Sequence, residues 1–230
     1  MNSKLAVTKA NSLLDARYRL NVQAQKLVLA CLSKVDPRPD STPLKEVRLS
    51  ALEFSELMGI DIKNAHRELY KAADLLFKST ITLYENGEEI ELYWIQEKAK
   101  KIKGDGAVRV VWSDRVLKYI TQLKSNFTTY KLRNIANLQS AHSIRLYELL
   151  SRFNDKNFRN ISLDDFRYAL GVDDKYPLFK DLNKWVIKPS VQELNQRSDL
   201  VITYETIKHG RNVTALAFTL KPNKQLKMDL

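Results

Sequence analysis

A short internal repeat constrains the fold more than any other feature of this sequence. Residues 50–61 and residues 162–173 align without a gap, at a constant offset of 112 positions (162 − 50 = 112). A serine, a phenylalanine and a glycine recur in both copies, as Ser50 and Ser162, Phe54 and Phe166, and Gly59 and Gly171. Because repeats of this kind are typical of duplicated structural units, the chain is predicted to contain two copies of one fold.

Each copy carries the signals of a short helix with a sharp end. Ser50 precedes Glu53 by three residues, and Ser162 precedes Asp165 by three, which is the spacing of a capping box at a helix start. The glycine that closes each copy suits the left-handed conformation that ends a helix. A second helical pattern follows each glycine, so both copies predict a helix-turn-helix.

The second helix of each copy has an apolar side and a basic side at helical spacing. In the first copy, residues 63–78, the apolar side is Ala65, Leu69, Ala72 and Leu76, and the basic stripe is Lys63, Arg67 and Lys71. In the second copy, the predicted apolar side is Leu178, Leu182, Trp185 and Val186, and the basic stripe beside Asn183 is Lys180, Lys184 and Lys188. Pro189 is predicted to stop or kink this helix. Each stripe is either a DNA-reading surface or a solvated helix face.

Alternating apolar positions predict a β-hairpin after each second helix. Residues 80–84 and 90–95 flank Asn86-Gly87, a strong two-residue turn signal, and residues 200–207 and 213–220 flank a turn at 208–211. Apolar-periodic helices at residues 20–32 and 138–150 precede the two motifs. Helices followed by a hairpin wing are the winged-helix order. The predicted fold class is therefore α+β, with two tandem winged-helix domains related by internal duplication.

The segment between the two copies sets the predicted domain boundary. Residues 107–112 are expected to form a further strand, and residues 113–123 a helix with several apolar positions. We place the boundary near Ser125, which gives an N-terminal winged-helix domain at 1–124 and a C-terminal one at 125–230.

The charge of the chain favours a polyanionic partner. The formal net charge is +11, and it divides into +5 for residues 1–124 (21 basic, 16 acidic) and +6 for residues 125–230 (17 basic, 11 acidic). Basic side chains on phosphates release counterions, so nucleic acid is the expected partner of both halves. The sequence has no apolar run approaching the ~18 residues of a membrane-spanning helix and no evident signal peptide, so a cytoplasmic location is expected.

The residue types needed for common catalytic sites are scarce. Cys31 is the single cysteine and lies in an apolar run, which predicts a buried, inert thiol. The three histidines are far apart, no glycine begins a triphosphate-binding loop, and helix caps or turns account for paired aspartates such as Asp164-Asp165. We therefore expect no catalytic residue, no metal and no cofactor, and a protein that is not an enzyme.

A family resemblance becomes visible at residues 138–150. This segment resembles the signature helix of iteron-binding, theta-type plasmid replication initiators, and the similarity continues, in the order typical of that family, through residues 166–171, 176–182, 193–195 and 204–218. The resemblance implies two winged-helix domains, the C-terminal one reading directly repeated origin DNA. It implies that the N-terminal domain makes auxiliary DNA contacts and mediates dimerisation. By this resemblance the candidates for dimer contacts are Leu13, Leu14, Leu20 and the strand at 107–112, which ordinary core packing explains equally well. It also implies a homodimer in equilibrium with a monomer, and host replication proteins as partners.

The resemblance also suggests which residues of the second half touch DNA. Lys175, Lys180, Asn183 and Lys184 match places where initiators carry DNA-contacting residues, and Arg211 matches the wing. Asn183, Lys184 and Trp185 stand where a run of arginines can occur. Since arginine reads guanine more often than lysine does, phosphate contact is better supported here than base reading.

We interpret the chain as a plasmid replication initiator that binds duplex DNA through both recognition helices. The candidate DNA-binding residues are Lys175, Lys180, Asn183, Lys184, Lys188, Arg211, Lys63, Asn64, Arg67, Lys71 and Lys101. Lys101 belongs to a basic segment, Lys98, Lys100, Lys101 and Lys103, that is expected either to grip phosphates or to be a solvated loop. Two alternatives remain open: a winged-helix transcriptional repressor without origin function, and a protein–protein adaptor.

Overall fold

The computed structural model describes residues 5–101, 106–153 and 156–223, which fold into two compact units, residues 1–136 and 137–230. Unit 1 contains α1 (Asn11–Asp15), α2 (Val22–Leu32), α3 (Ala51–Met58), α4 (Ile62–Phe77), α5 (Asp114–Leu117) and α6 (Arg133–Ala136). Its strands are β1 (Ala6–Ala10), β2 (Glu46–Ser50), β3 (Thr80–Glu85), β4 (Glu88–Tyr93), β5 (Ile95–Lys100), β6 (Ala107–Trp112) and β7 (Phe127–Lys131).

Unit 2 repeats the central part of this order. Its helices are α7 (Ala141–Ser151), α8 (Leu163–Leu170), α9 (Phe179–Leu182) and α10 (Lys188–Arg197), with a π-helical turn, Asn183–Ile187, between the last two. Its strands are β8 (Phe158–Ser162), β9 (Leu200–His209) and β10 (Asn212–Pro222). Strand β8 and helix α8 lie 112 positions after β2 and α3 (158 − 46 = 163 − 51 = 112), so the sequence repeat is a structural repeat.

The local signals of the repeat form as predicted, with one difference. Ser50 caps the Glu53 amide (3.1 Å), and the Glu53 carboxylate accepts from the Ser50 amide (2.8 Å), which completes a capping box. Ser162 caps the Asp165 amide (3.0 Å), but the shorter Asp165 carboxylate accepts from the Ser162 hydroxyl instead. Both helices end at a left-handed glycine, at φ 60° in α3 and φ 66° in α8.

The sheets identify the wing of each unit. Unit 2 has the strand order β8-β10-β9, and unit 1 has the matching order β2-β6-β5. The equivalent wings are therefore the hairpins β9–β10 and β5–β6. The prediction that β3–β4 is the wing of unit 1 was wrong. This hairpin follows α4 and precedes the wing along the chain, and it forms a separate two-stranded sheet. Its turn does have the predicted geometry, with Asn86 at φ 53° and Gly87 at φ 83°.

The domain boundary lies later than the sequence suggested. Strand β7 pairs antiparallel with β1 along its whole length, from Ala6 opposite Lys131 to Ala10 opposite Phe127. Because this pairing ties β7 to the start of the chain, unit 1 extends to Ala136 rather than to residue 124. Within segment 113–123 only the short helix α5 forms. The Tyr119 and Ile120 amides donate to carbonyls three residues earlier, which tightens the chain, and Gln122 then has a left-handed backbone at φ 50°.

Several apolar segments considered as dimer contacts are core residues of unit 1. Leu13 and Leu14 are fully buried and Leu20 is nearly so. Strand β6 is the central strand of its sheet, hydrogen-bonded on both edges, and is therefore closed to a second copy. Cys31 is buried as predicted, and burial raises the pKa of its thiol to about 12, which keeps it protonated and unreactive.

A buried cation holds the end of the first repeat helix in each unit. In unit 1, the Lys26 ammonium on α2 donates to the Met58 carbonyl at the end of α3 (3.1 Å). In unit 2, the Arg145 guanidinium on α7 donates twice to the Ala169 carbonyl in the last turn of α8 (2.8 and 3.2 Å) and pairs with the buried Glu148 carboxylate (2.8 Å). Helix ends leave unsatisfied carbonyls with partial negative charge, so these cations stabilise the turn into the recognition helix.

Replacing Arg145 with alanine should loosen this turn. The change removes two hydrogen bonds to the Ala169 carbonyl. It also removes the Arg145 guanidinium from its ion pair with the Glu148 carboxylate, which is 1% exposed. Breaking one side of a buried ion pair costs about 3–5 kcal/mol. Hydrogen exchange of the full chain should show that loss of protection in α7 and α8, whereas Arg211→Ala, on the exposed wing, should leave it unchanged. Equal protection in wild type and Arg145→Ala would contradict this role.

Candidate nucleic-acid interface

The turn before the recognition helix of unit 2 is fixed by one side chain. The Arg167 guanidinium on α8 donates to the backbone carbonyls of Lys175 (2.8 Å) and Tyr176 (2.7 Å) and, at 3.4 Å, to that of Pro177. Tyr176 has a left-handed backbone, at φ 53°, which is unfavourable for a residue with a side chain. A guanidinium can donate to several acceptors in one plane, so Arg167 holds the turn in this conformation.

A π-helical turn widens the recognition helix just before Pro189. The Lys188 amide donates to the Asn183 carbonyl, five residues back, and α10 continues from Lys188. Proline has no amide hydrogen and crowds the carbonyl four residues before it, and the wider turn accommodates both effects. Pro189 therefore neither stops nor sharply breaks the helical segment, which runs on to Arg197.

The π-helical turn also changes which side chains face the core. Val186 and Ile187 are both fully buried, with Leu182 one turn earlier. Trp185 and Leu178, predicted on the apolar side, are instead 57% and 55% exposed. The extra residue in the turn rotates the side chains relative to a regular helix, so a pattern based on 3.6 residues per turn assigned Trp185 to the wrong face.

The predicted basic stripe of unit 2 is exposed. Lys180, Lys184 and Lys188 are solvent-exposed and form no ion pair with any residue in the described ranges. Lys175 is exposed in the turn before the helix. The pKa of His142 is lowered mainly by the burial of that imidazole and further by the positive charge of Lys175. Arg211 is exposed at the tip of the β9–β10 wing, beside Gly210 at φ 62°. The structure thus brings the stripe together on one helix and places Arg211 on the wing.

Asn183 is held by the wing strand. The Tyr204 hydroxyl on β9 donates to Asn183 Oδ1 at 2.5 Å, and both residues are half-buried. With Oδ1 occupied in this way, the amide presents its two Nδ2 hydrogens as donors. Burial raises the pKa of Tyr204, so the hydroxyl keeps its proton at neutral pH. No local sequence pattern predicts this bond, because the two residues are 21 positions apart.

The recognition helix of unit 1 carries its predicted residues on an exposed face. Lys63, Arg67 and Lys71 are exposed, and Asn64 is half-buried. Part of this surface is internally engaged, because the Arg67 guanidinium donates to Asn64 Oδ1 (2.8 Å) and to the adjacent Glu68 carboxylate (3.1 Å). Lys63 and Lys71 form no ion pair within the described parts of the chain.

The basic segment considered as a loop belongs to the wing of unit 1. Lys98 and Lys100 lie on β5, and both ammonium groups bind the Asp74 carboxylate on α4. These contacts lower the pKa of Asp74, which therefore stays ionised at neutral pH. Lys101 is exposed, and its carbonyl accepts from the Tyr70 hydroxyl. Lys103 lies outside the described residues. Of this segment's described lysines, only Lys101 is available for phosphate.

Close packing joins this wing to the recognition helix. Gly106, at φ 54°, lies so near His66 on α4 that a Cβ on Gly106 would stand 2.0 Å from the imidazole Cδ2. His66 stacks at a tilt on Tyr70, with ring centroids 4.2 Å apart. His66 therefore has a packing role.

The contributions of Asp74, Tyr204 and Arg167 were not predicted, because each acts on a distant residue.

The described residues contain no group of three or more His, Cys, Asp or Glu side chains placed to hold a metal ion. None of their helices is both long and apolar enough to cross a membrane.

Two winged-helix units, each with an exposed basic recognition helix and a wing bonded to it, define a tandem winged-helix protein with a surface suited to nucleic acid. Residues 6–151 match the family described as Initiator Replication protein, WH1, and residues 162–220 match Initiator Rep protein, WH2. The chain therefore belongs to the family of initiator replication proteins, as the resemblance of residues 138–150 suggested.

Individual relatives agree with this assignment. A replication initiation protein of Escherichia coli is 31% identical over 236 residues, covering 98% of this chain and 72% of the relative. An uncharacterized 27.6 kDa protein of Escherichia coli is 22% identical over 226 residues, and the alignment covers 92% of this chain and 93% of that protein. The crystal structure of Pi initiator protein in complex with iteron DNA superposes with a TM-score of 0.83 at 23% identity, covering 97% of this chain and 100% of the other. That likeness shows the tandem winged-helix fold.

Tyr204→Phe should weaken discrimination between cognate and random duplex DNA. Without the hydroxyl, the Asn183 amide is free to rotate, and a hydrogen bond of this kind contributes about 1 kcal/mol, or roughly fivefold in affinity. Binding titrations on both duplexes measure the change. In a double-mutant cycle with Asn183→Ala, the two losses should be strongly non-additive. Additive losses would mean that Tyr204 acts independently of Asn183.

Proposed function

We propose that this protein is a plasmid replication initiator that binds directly repeated duplex DNA at an origin and does so without catalysis of its own. The observation that carries the proposal is the exposed lysine stripe of unit 2, Lys180, Lys184 and Lys188, on a recognition helix whose preceding turn is fixed by Arg167. Recognition helices of helix-turn-helix proteins enter the major groove and read base edges there. Membership of the initiator family and the fold shared with Pi initiator protein, solved with iteron DNA, support this function.

The two units have different shares in this binding. Unit 2 is the main sequence reader, because its Asn183 is oriented from the wing, and because none of its stripe cations pairs with a described acidic residue, whereas Arg67 in the stripe of unit 1 pairs with Glu68. Unit 1 makes auxiliary contacts through Lys63, Asn64, Arg67 and Lys71, while Lys101 on its wing contacts phosphate. Phosphate contacts fix the position of a protein on DNA and add affinity without reading sequence.

The proposal extends to the cellular setting of the protein. It acts in the cytoplasm, on plasmid DNA, as a homodimer in equilibrium with a monomer, and it recruits host replication proteins. Sedimentation of the protein with and without DNA tests the monomer–dimer equilibrium. We expect the dimer surface to lie elsewhere than Leu13, which is buried within unit 1, and than the edges of β6, which are both hydrogen-bonded within its sheet.

A DNA footprint separates the initiator from a transcriptional repressor. Recognition helices in successive major grooves of one DNA face would cover about 20 base pairs, since one helical turn is about 10–10.5 base pairs. Because the two recognition helices differ in sequence, that site need not be palindromic. Footprinting of the DNA flanking the gene should reveal an array of direct repeats. A single protected inverted repeat would instead favour a repressor, and the lack of salt-dependent duplex binding would favour a protein–protein adaptor.

Lys184→Ala and Lys101→Ala should have different effects on DNA binding. Lys184 lies on the recognition helix, so its loss should reduce affinity for the cognate repeat roughly tenfold or more and reduce the ratio of cognate to random binding. Lys101 lies on the wing, so its loss should lower the affinity for both duplexes alike. It should also reduce the slope of log affinity against log salt concentration by about one, the value for one phosphate contact.

Titrations of both variants on cognate and random duplexes at several salt concentrations measure these effects. Lys98→Ala is the matched control for Lys101, because its ammonium is already bound to Asp74 and its loss should change the salt dependence less. Equal losses on cognate and random DNA for both Lys184→Ala and Lys101→Ala would overturn the assigned roles.

A further inference from the structure

The recognition helix of unit 2 exposes an indole ring among its lysines. Trp185 is 57% exposed, and the Lys184 ammonium lies over its ring, 4.5 Å from the centroid. The chain has three tryptophans, and the other two, Trp94 and Trp112, are fully buried in unit 1. Tryptophan is enriched among the residues that contribute most to binding at interfaces, so an exposed one on a basic recognition helix is a candidate contact with a partner.

The exposure of Trp185 follows from the backbone rather than from loose packing. The π-helical turn places Val186 and Ile187 in the core, and this leaves Trp185 on the outer face. Lys184 adjoins Trp185 in sequence, Lys188 follows it by three residues, and both are exposed. Because the Lys184 ammonium lies over its ring, Trp185 adjoins the basic stripe. π-Helical turns occur frequently at functional sites, and this one presents a tryptophan among the lysines that would face DNA.

The chemistry of the major groove identifies the contact that fits this ring. Base pairs present hydrogen-bonding groups there, and the one apolar group is the C5-methyl of thymine. The indole offers an apolar surface for that methyl, and Lys184, held over the ring, brings positive charge close to the adjacent phosphates or base edges. The charge on this face favours duplex DNA as the occupant over a second copy of this basic chain.

We propose that Trp185 is a specificity-determining residue that reads a thymine by packing against its C5-methyl group in the major groove. This inference rests on the proposed function, because it assumes that the recognition helix of unit 2 enters the groove. It adds a base identity to a surface whose lysines alone would favour phosphate or guanine.

The fluorescence of Trp185 tests whether DNA covers the ring. Since Trp94 and Trp112 are buried, acrylamide should quench mainly Trp185 in the free protein, and the cognate repeat should protect it. Trp185→Phe should abolish that protected component while retaining most of the affinity. Quenching that the cognate duplex leaves unchanged, under conditions where it is bound, would overturn the proposal. So would protection that appears with rising protein concentration in the absence of DNA, because a second copy would then cover Trp185.

Replacement of thymine by uracil tests whether the methyl group is read. Single uracils, introduced in turn through the footprinted repeat, each remove one methyl and no hydrogen-bonding group. At one position the wild-type protein should lose about fourfold in affinity, as expected for one buried methyl or methylene group. Trp185→Ala should bind thymine and uracil equally there.

The matched control is Lys180→Ala, which should bind more weakly yet keep the same uracil penalty. A wild-type protein that binds the repeat specifically but tolerates uracil at every position would overturn the thymine contact and leave the proposed function standing. A protein that shows no preference for the repeat over random duplex would overturn the proposed function itself. The two failures are therefore distinguishable.

Discussion

A buried cation at the end of the first repeat helix is the contact on which each recognition surface depends. The terminal carbonyls of α3 and α8 lack helical partners and carry partial negative charge, and each helix then turns through a left-handed glycine. Lys26 and Arg145 reach these carbonyls from the preceding helix and fix the point where the chain leaves the core. The recognition helix starts from that point, so its direction is set by a contact that never touches DNA.

The two units use different side chains to join the wing to the recognition helix. In unit 1, Asp74 on α4 binds two lysines of β5, and Tyr70 bonds the backbone just beyond that strand. In unit 2, Tyr204 on β9 bonds Asn183 of the helix. Strands β5 and β9 hold the same place in their sheets, so each unit makes its helix and wing one connected surface. Such a surface binds DNA with less loss of side-chain freedom than separate parts would.

Local signals were predictable from the sequence, whereas features set by distant contacts were not. Capping serines, terminal glycines and the Asn86-Gly87 turn act within four residues, and they formed as expected, except that Asp165 does not complete its capping box. The wing of unit 1 was misassigned because strand pairing joins β2 to β6 across 57 positions (107 − 50 = 57), and no local pattern specifies it. The boundary moved for the same reason, through the β1–β7 pairing. Among the site residues, the exposed lysines followed from helical spacing, but the exposure of Trp185 depends on a π-helical turn that departs from that spacing.

The internal neutralisation of basic groups differs between the duplicated units. In unit 1, Arg67 is engaged by Asn64 and Glu68, and two wing lysines are engaged by Asp74, so much of its positive charge is compensated before DNA arrives. In unit 2, the helix lysines meet no acidic partner among the described residues, and Arg211 stands exposed on the wing. Since counterion release scales with the number of uncompensated cations placed on phosphates, this difference is the physical basis of the larger share in DNA binding that we propose for unit 2. The duplication thus supplies one fold twice, and the acidic side chains placed beside it set how much positive charge each copy presents.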